Sequence, residues 1–172
     1  MVEISALAAK IRAIADFPEP GVTFRDITPL LAEDFHAMVD ALVEAVQWPA
    51  VDAFIGVEAR GFLLAAPLAD RFNVGFVPVR KAGKLPADVV SREYSLEYGS
   101  ASLEMHVDAL PPGARVVIVD DVLATGGTLE AAAALVESVG AEVLGHLVLI
   151  EVAGLGGRER VAPTDVVSVL RY

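Results

Sequence analysis

Residues Val116-Val117-Ile118-Val119 lead directly into Asp120-Asp121 and then, through Val122-Leu123-Ala124-Thr125, into Gly126-Gly127-Thr128. A run of consecutive β-branched residues favours a buried strand over a helix. Such a strand does not meet two adjacent carboxylates without a use for them, because an unpaired charge is costly to bury. In an open α/β sheet the carboxyl ends of the strands are where ligands bind. This one stretch therefore predicts both a sheet and the edge of it that does the work.

The rest of the chain is consistent with that sheet. Ile4, Leu7, Ile11 and Ile14 share a helical spacing that stops at Phe17-Pro18, which predicts an opening helix. A loop rich in proline follows through Pro20, Gly21 and Pro29. Phe35, Met38, Val39, Leu42, Val43 and Val46 then predict a core-facing helix. Apolar runs at Ala53 to Val57, Phe76 to Val79, Val116 to Val119, Val143 to Ile150 and Val166 to Leu170 alternate with helical stretches near Gly61 to Phe72 and Thr128 to Val139, the last closed by Gly140. Short apolar runs alternating with helices predict an α/β fold with a mostly parallel sheet covered on both faces. Between Gly83 and Val107 charged residues and tyrosines replace that pattern, which predicts an inserted hairpin turning near Gly99-Ser100. At 172 residues, 55% of them apolar, the chain predicts a single domain over 1–172.

Composition narrows the chemistry. There is no cysteine, so disulfides, thiolate metal sites and cysteine nucleophiles are excluded, and His36, His106 and His146 match no metal-ligand spacing. A net charge of -11 argues against a nucleic-acid surface, so an anionic substrate must meet a local basic cluster. No charge-free stretch approaches the ~20 apolar residues of a membrane span, and the N-terminal segment lacks a secretory pattern. A cytoplasmic protein without a membrane partner is the expectation.

The 116–128 stretch also predicts a ligand. Gly126 and Gly127 allow successive N–H groups to point into one concavity, the helix beginning near Thr128 adds its N-terminal dipole, and Thr125 and Thr128 offer hydroxyl donors. Such a cradle, from Ala124 to Thr128, fits a phosphate monoester. Asp120 and Asp121 repel phosphate but accept hydrogen bonds from vicinal sugar hydroxyls and can face hydrated Mg²⁺. An acid pair beside an anion cradle points to ribose 5-phosphate. Taken singly, Gly-Gly is as readily a tight turn and an aspartate as readily a helix cap. Neither a Walker A loop nor a dinucleotide fingerprint has these residues at this spacing.

The same stretch resembles the phosphoribosyl diphosphate motif of the type I phosphoribosyltransferases. Further segments are similar to the adenine-specific members: 17–27 (FPEPGVTFRDI), 58–62 (EARGF), 79–86 (VRKAGKLP) and 94–99 (YSLEYG). The resemblance implies the type I fold, with a small hood and a flexible lid hairpin over about 83–105. It implies a homodimer and the reaction of adenine with 5-phospho-α-D-ribose 1-diphosphate to AMP and pyrophosphate. Mg²⁺ is expected as the cofactor, held mainly through the substrate's diphosphate and not by a set of protein ligands.

It also implies roles. Arg60, after the sheet's first strand, faces pyrophosphate with a bidentate guanidinium, and the peptide before it, Glu58-Ala59, is expected to be cis. Arg80, Lys81 and Lys84, a dense basic cluster that could otherwise be solvated surface, approach the same pyrophosphate. The Phe24 ring stacks on the purine, with Val122 or Leu123 against its other face, and the backbones of Thr23 and Arg25 bond the adenine edge. Core burial is the alternative for Phe24. Within the lid, Glu97 is the candidate acid for a ring nitrogen of adenine and Tyr98 positions the closed lid.

Three rival readings can be weighed. Enzymes of 6-oxopurines resemble one another in using a lysine from a late strand, and none occurs after Lys84. A non-catalytic sensor of phosphoribosyl diphosphate would usually carry a DNA-binding domain, for which this acidic chain has no room. A plain Rossmann-like module with a structural Gly-Gly turn leaves the basic cluster unexplained.

Overall fold

In the computed structural model residues 2–95 and 100–172 are described. The chain runs α1 (Ile4–Ala9), β1 (Arg12–Ala15), β2 (Thr23–Asp26), α2 (Thr28–Glu33), α3 (Phe35–Ala45), β3 (Ala53–Val57), α4 (Arg60–Phe72), β4 (Gly75–Lys81), β5 (Val89–Ser95), β6 (Ser100–His106), β7 (Arg115–Leu123), α5 (Gly127–Ser138), β8 (Glu142–Glu151), α6 (Gly157–Val161) and β9 (Val166–Arg171).

Among these, seven strands form one sheet in the order β5-β6-β4-β3-β7-β8-β9. Neighbours from β4 to β9 are parallel, and β5-β6 is antiparallel and joins the β4 edge through Arg80↔Glu104 and Lys81↔Leu103. Period-two alternation divides the core. Ile55, Val57, Val116 and Ile118 face α5, whose Leu129, Ala132, Leu135 and Val136 are buried. Phe54, Val117, Val119, Leu147 and Leu149 face the other way, onto Met38, Val39 and Leu42 of α3 and Leu64 and Leu68 of α4. Each of the larger side chains among them, fully buried, contributes ~1.5–3 kcal/mol of apolar transfer.

The opening segment departs from its expected helix. α1 ends at Ala9, with Lys10 as its C-cap, and Arg12–Ala15 is a strand paired antiparallel with Thr23–Asp26. Ile11 is buried while Ile4 and Ile14 are exposed, so the four isoleucine and leucine positions do not form one helical face. The hairpin holds because its turn is bonded (Gly21 N–H to Asp16 Oδ1, 2.7 Å; Phe17 N–H to the Val22 carbonyl, 3.1 Å) and because Arg12 pairs with Asp26 across it. Phe24 accordingly lies on a strand, opposite Ile14, and not in a loop.

Candidate active site

β7 does not stop where its carboxylates begin. It continues through Asp120 and Asp121 to Leu123, so both aspartates are strand residues at the sheet's carboxyl edge, 9% and 4% exposed. Asp120 Oδ1 accepts the backbone N–H of Asp121 at 2.9 Å. Burial, and after it the neighbouring Asp121 charge, pushes the Asp120 carboxyl well above the ordinary carboxylate range. Asp121 instead has a cation: the Arg60 Nε–H donates to its Oδ2. The two adjacent acids are thus electrostatically unlike.

Arg60 is the first residue of α4, and the Glu58–Ala59 peptide before it is cis, as the resemblance implies. Gly61 brings this helix start close to β7, since a Cβ there would lie 2.7 Å from the Val119 carbonyl oxygen. The Arg60 guanidinium also lies 5.6 Å from the centroid of the Phe24 ring. Phe24 is half-buried, belongs to neither core cluster, and meets Phe17 edge to face at 5.3 Å. The guanidinium of the neighbouring Arg25 sits 4.1 Å from the centre of the Tyr172 ring, tying β2 to the C-terminal residue. The β1–β2 hairpin therefore leans over the carboxyl edge with Phe24 turned toward Arg60.

Beyond Leu123 the chain turns into α5. Gly126, at φ +83°, is the residue before the helix, and Glu130 N–H bonds its carbonyl at 2.9 Å. A cavity of about 430 Å³ opens between this turn and α4, with Arg60, Lys81, Asp120, Asp121, Val122, Ala124 and Thr128 among its lining residues. Sequence reasoning reached all of these. Leu123 is buried to 1% exposure, while Val122 is half-buried and lines the cavity. Thr125 is exposed beside Gly126 and Gly127, which are buried. Thr23 is exposed on β2.

The basic cluster is organised by acids that the sequence reading did not single out. Arg80 Nε–H donates to Glu58 Oε2 (3.3 Å) and its Nη1 to the Lys84 carbonyl (3.0 Å). The Lys81 N–H bonds the same Glu58 oxygen (3.0 Å), and the Gly83 N–H bonds Glu104 (2.9 Å). Of the three basic side chains, Lys81 is the one among the cavity's described lining. Glu58, and Tyr94 and Leu103 from the β5–β6 pair, line the cavity as well; the available signal for Glu58 was its position between a buried strand and Arg60. Glu97 and Tyr98 lie outside the described residues.

The carboxyl-edge arrangement has counterparts in known proteins. A model described as "Phosphoribosyl transferase domain" matches residues 32–170. The adenine phosphoribosyltransferase of Acidothermus cellulolyticus is 54% identical over 167 residues, covering 96% of this chain and 94% of that one. That of Streptomyces coelicolor is 55% identical over 159 residues, covering 91% and 87%. Among solved structures, adenine phosphoribosyltransferase from Thermoanaerobacter pseudethanolicus superposes with a TM-score of 0.96 at 48% identity, covering 99% of this chain and 100% of that one. The Saccharomyces cerevisiae enzyme, crystallised with an imino-altritol bisphosphate and adenine, gives 0.91 at 38% identity, covering 97% and 98%. With this likeness extending over the sheet, the hairpin above it and the 116–128 turn alike, the chain belongs to the phosphoribosyltransferase family and, within it, to the adenine phosphoribosyltransferases.

Proposed function

We propose that the protein transfers the 5-phosphoribosyl group of 5-phospho-α-D-ribose 1-diphosphate to adenine, forming AMP and pyrophosphate. The observation that carries this reading is the convergence of Arg60, the Asp120–Asp121 pair and the Ala124–Thr128 turn on one cavity at the sheet's carboxyl edge. The helix start and the glycine turn would take the 5-phosphate; Asp120 and Asp121 would take the ribose hydroxyls. Breaking the bond from the anomeric carbon to pyrophosphate builds positive charge on the sugar and negative charge on the leaving group. Arg60 and Lys81 line the cavity where that negative charge would be met, and Arg80, beside Lys81 at the end of β4, bonds the Lys84 carbonyl. Phe24 and Val122 would hold the purine between them, with the Thr23 and Arg25 backbones on its edge.

Mg²⁺ is part of the proposal. Asp120 and Asp121 are hard oxygen donors at the cavity and fit a hydrated ion brought in by the diphosphate. When bound, the ion would neutralise charge on the departing pyrophosphate. The β5–β6 pair from about 83 to 105 would act as a lid excluding water from the sugar, with Glu97 placing a proton on adenine and Tyr98 steadying the closed form. A homodimer is supported by apolar surface at Phe62 and Phe76, which meet edge to face at 5.9 Å with Phe76 37% exposed. Among the described residues no helix is long and apolar enough to cross a membrane, and a cytoplasmic site of action completes the reading.

The experiment is to mix the protein with Mg²⁺, phosphoribosyl diphosphate and each free base in turn. AMP from adenine, with little nucleotide from hypoxanthine or guanine, is expected. Product from a 6-oxopurine alone, or none, would overturn the assignment.

A further inference from the structure

The glycines of the phosphate turn face two ways, and one of those ways is inward. A Cβ built on Gly126 would lie 2.8 Å from the Gly157 carbonyl oxygen and 3.3 Å from Arg160 Cβ, and one on Gly127 would lie 3.2 Å from Arg160 Nη1. From the other side, a Cβ on Gly157 would overlap the Ala124 carbonyl oxygen and come within 2.7 Å of Leu123 Cδ1. Ala124 and Gly126 of the turn therefore meet the Gly157 backbone directly, while Gly127 lies against the Arg160 side chain. There is no room for a Cβ on Gly126 or Gly157, so the two segments cannot approach more closely.

α6 is too short to hold its own place and is anchored by ionic bonds. Glu151, at the end of β8 and 3% exposed, accepts Arg158 Nε–H at 2.8 Å and Nη2–H at 2.6 Å, and the Ser168 hydroxyl at 2.8 Å. Arg158 Nη1–H further donates to the Val166 carbonyl at 2.8 Å. Hydrogen bonding from the Arg158 guanidinium first of all, reinforced by the Ser168 hydroxyl, holds the Glu151 carboxyl down at about 2. On its outer side α6 is fastened to α5 by Arg160 Nε–H to Glu130 Oε2, 2.8 Å. The Val152 N–H bonds the Leu123 carbonyl at 2.9 Å, joining the two loop bases directly.

We infer that α6 is a buttress for the phosphate turn and that Glu151 and Arg158 are positioning residues for the diphosphate substrate, acting through the Gly157 backbone on Ala124–Gly127. The inference rests on the reading that this turn holds the 5-phosphate. It separates Gly126 and Gly127 into two requirements: amides that face the ligand, and bare α-carbons that face α6. Loosening the Glu151–Arg158 anchor tilts the turn and weakens phosphoribosyl diphosphate, while the adenine contacts on β2 and Val122 stay in place.

The test compares Gly157→Ala and Glu151→Gln with Leu42→Ala, a core truncation in α3 that is destabilising but remote from the turn. Calorimetric Kd for phosphoribosyl diphosphate with Mg²⁺, KM for each substrate and Tm are read for all. Gly157→Ala and Glu151→Gln are expected to weaken Kd and KM for the diphosphate about tenfold, leave KM for adenine at saturating diphosphate within about twofold, and Leu42→Ala to lower Tm with Kd unchanged. Unchanged Kd in both loop variants, or equal loss of both substrates, overturns the buttress. If Gly157→Ala does not fold, Glu151→Gln decides alone. Because Kd is measured without adenine, a wild-type chain that binds the diphosphate but makes no AMP refutes the reaction while leaving this test standing. One that does not bind it overturns both.

Discussion

Arg60 and Asp121 are 61 positions apart in the chain and joined as an ion pair at the cavity, the arginine from the first turn of α4 and the aspartate from β7. The pair sets an exchange into the site. In the proposed reaction a phosphate group that recruits the Arg60 fork would compete with Asp121, and a sugar hydroxyl that engages Asp121 would free the guanidinium. Substrate parts bound at the two residues would thereby be coupled.

Arg60→Lys keeps the charge and loses the planar fork. kcat/KM for AMP formation should fall about a hundredfold, on the scale of losing one preorganised donor to developing charge, with Tm little changed. Steady-state kinetics check it, and wild-type rates in the variant would remove Arg60 from the leaving group.

Phe24→Ala removes a ring that belongs to no core cluster, so the fold should survive. KM for adenine should rise about tenfold, the loss of ~1.4 kcal/mol being within the range of one aromatic stack. KM for phosphoribosyl diphosphate should stay put. A Phe24→Ala protein that unfolds, with adenine affinity intact where folded, would return Phe24 to a packing role.

Glu97→Gln preserves shape and removes the acid. kcat should fall far more than either KM changes, the pattern of an interaction made in the transition state. Turnover equal to wild type would exclude a chemical role for this carboxyl.

His146, on β8, is fully buried, and neither ring nitrogen has a hydrogen-bond partner among the described residues. Burial lowers its pKa from 6.5 to about 4. The unfolded chain therefore takes up the proton first: the stability is whole above pH 6.5 and declines as pH falls toward 4, by up to about 3 kcal/mol. His146→Leu should raise Tm at neutral pH and flatten this slope. Urea midpoints at pH 7.5 and pH 5 check it, and a variant with the wild-type difference between them would show that His146 does not titrate on unfolding.

The readable parts of the chain were those with local causes. The run Ala53–Val57 is a strand with the ends expected, and α3 and α5 follow their apolar spacing, the latter closed by Gly140 at φ +80°. The segment Ile11–Ile14 misled because short apolar runs suit either a helix or a strand. Its strand state depends on Thr23–Asp26, on the far side of a proline-containing turn, and on the Arg12–Asp26 ion pair.

The same division holds at the site. Residue types and spacing along the chain were enough to single out the acid pair and the glycine turn, whose chemistry is local, whereas Arg60 and the basic residues from Arg80 to Lys84 were given roles by resemblance. The relations among these groups were not legible there. Asp121 meets Arg60 while Asp120, bonded to the Asp121 N–H, is held well above the ordinary carboxylate range; Glu58 bonds the end of β4 at Arg80 and Lys81, and Glu104 the turn at Gly83; the bare faces of Gly126 and Gly127 lie against α6. Each depends on which strands lie side by side and how closely helices dock on them. That is fixed by long-range packing, in which partners tens of residues apart are chosen by shape and burial and not by anything their own segments spell out.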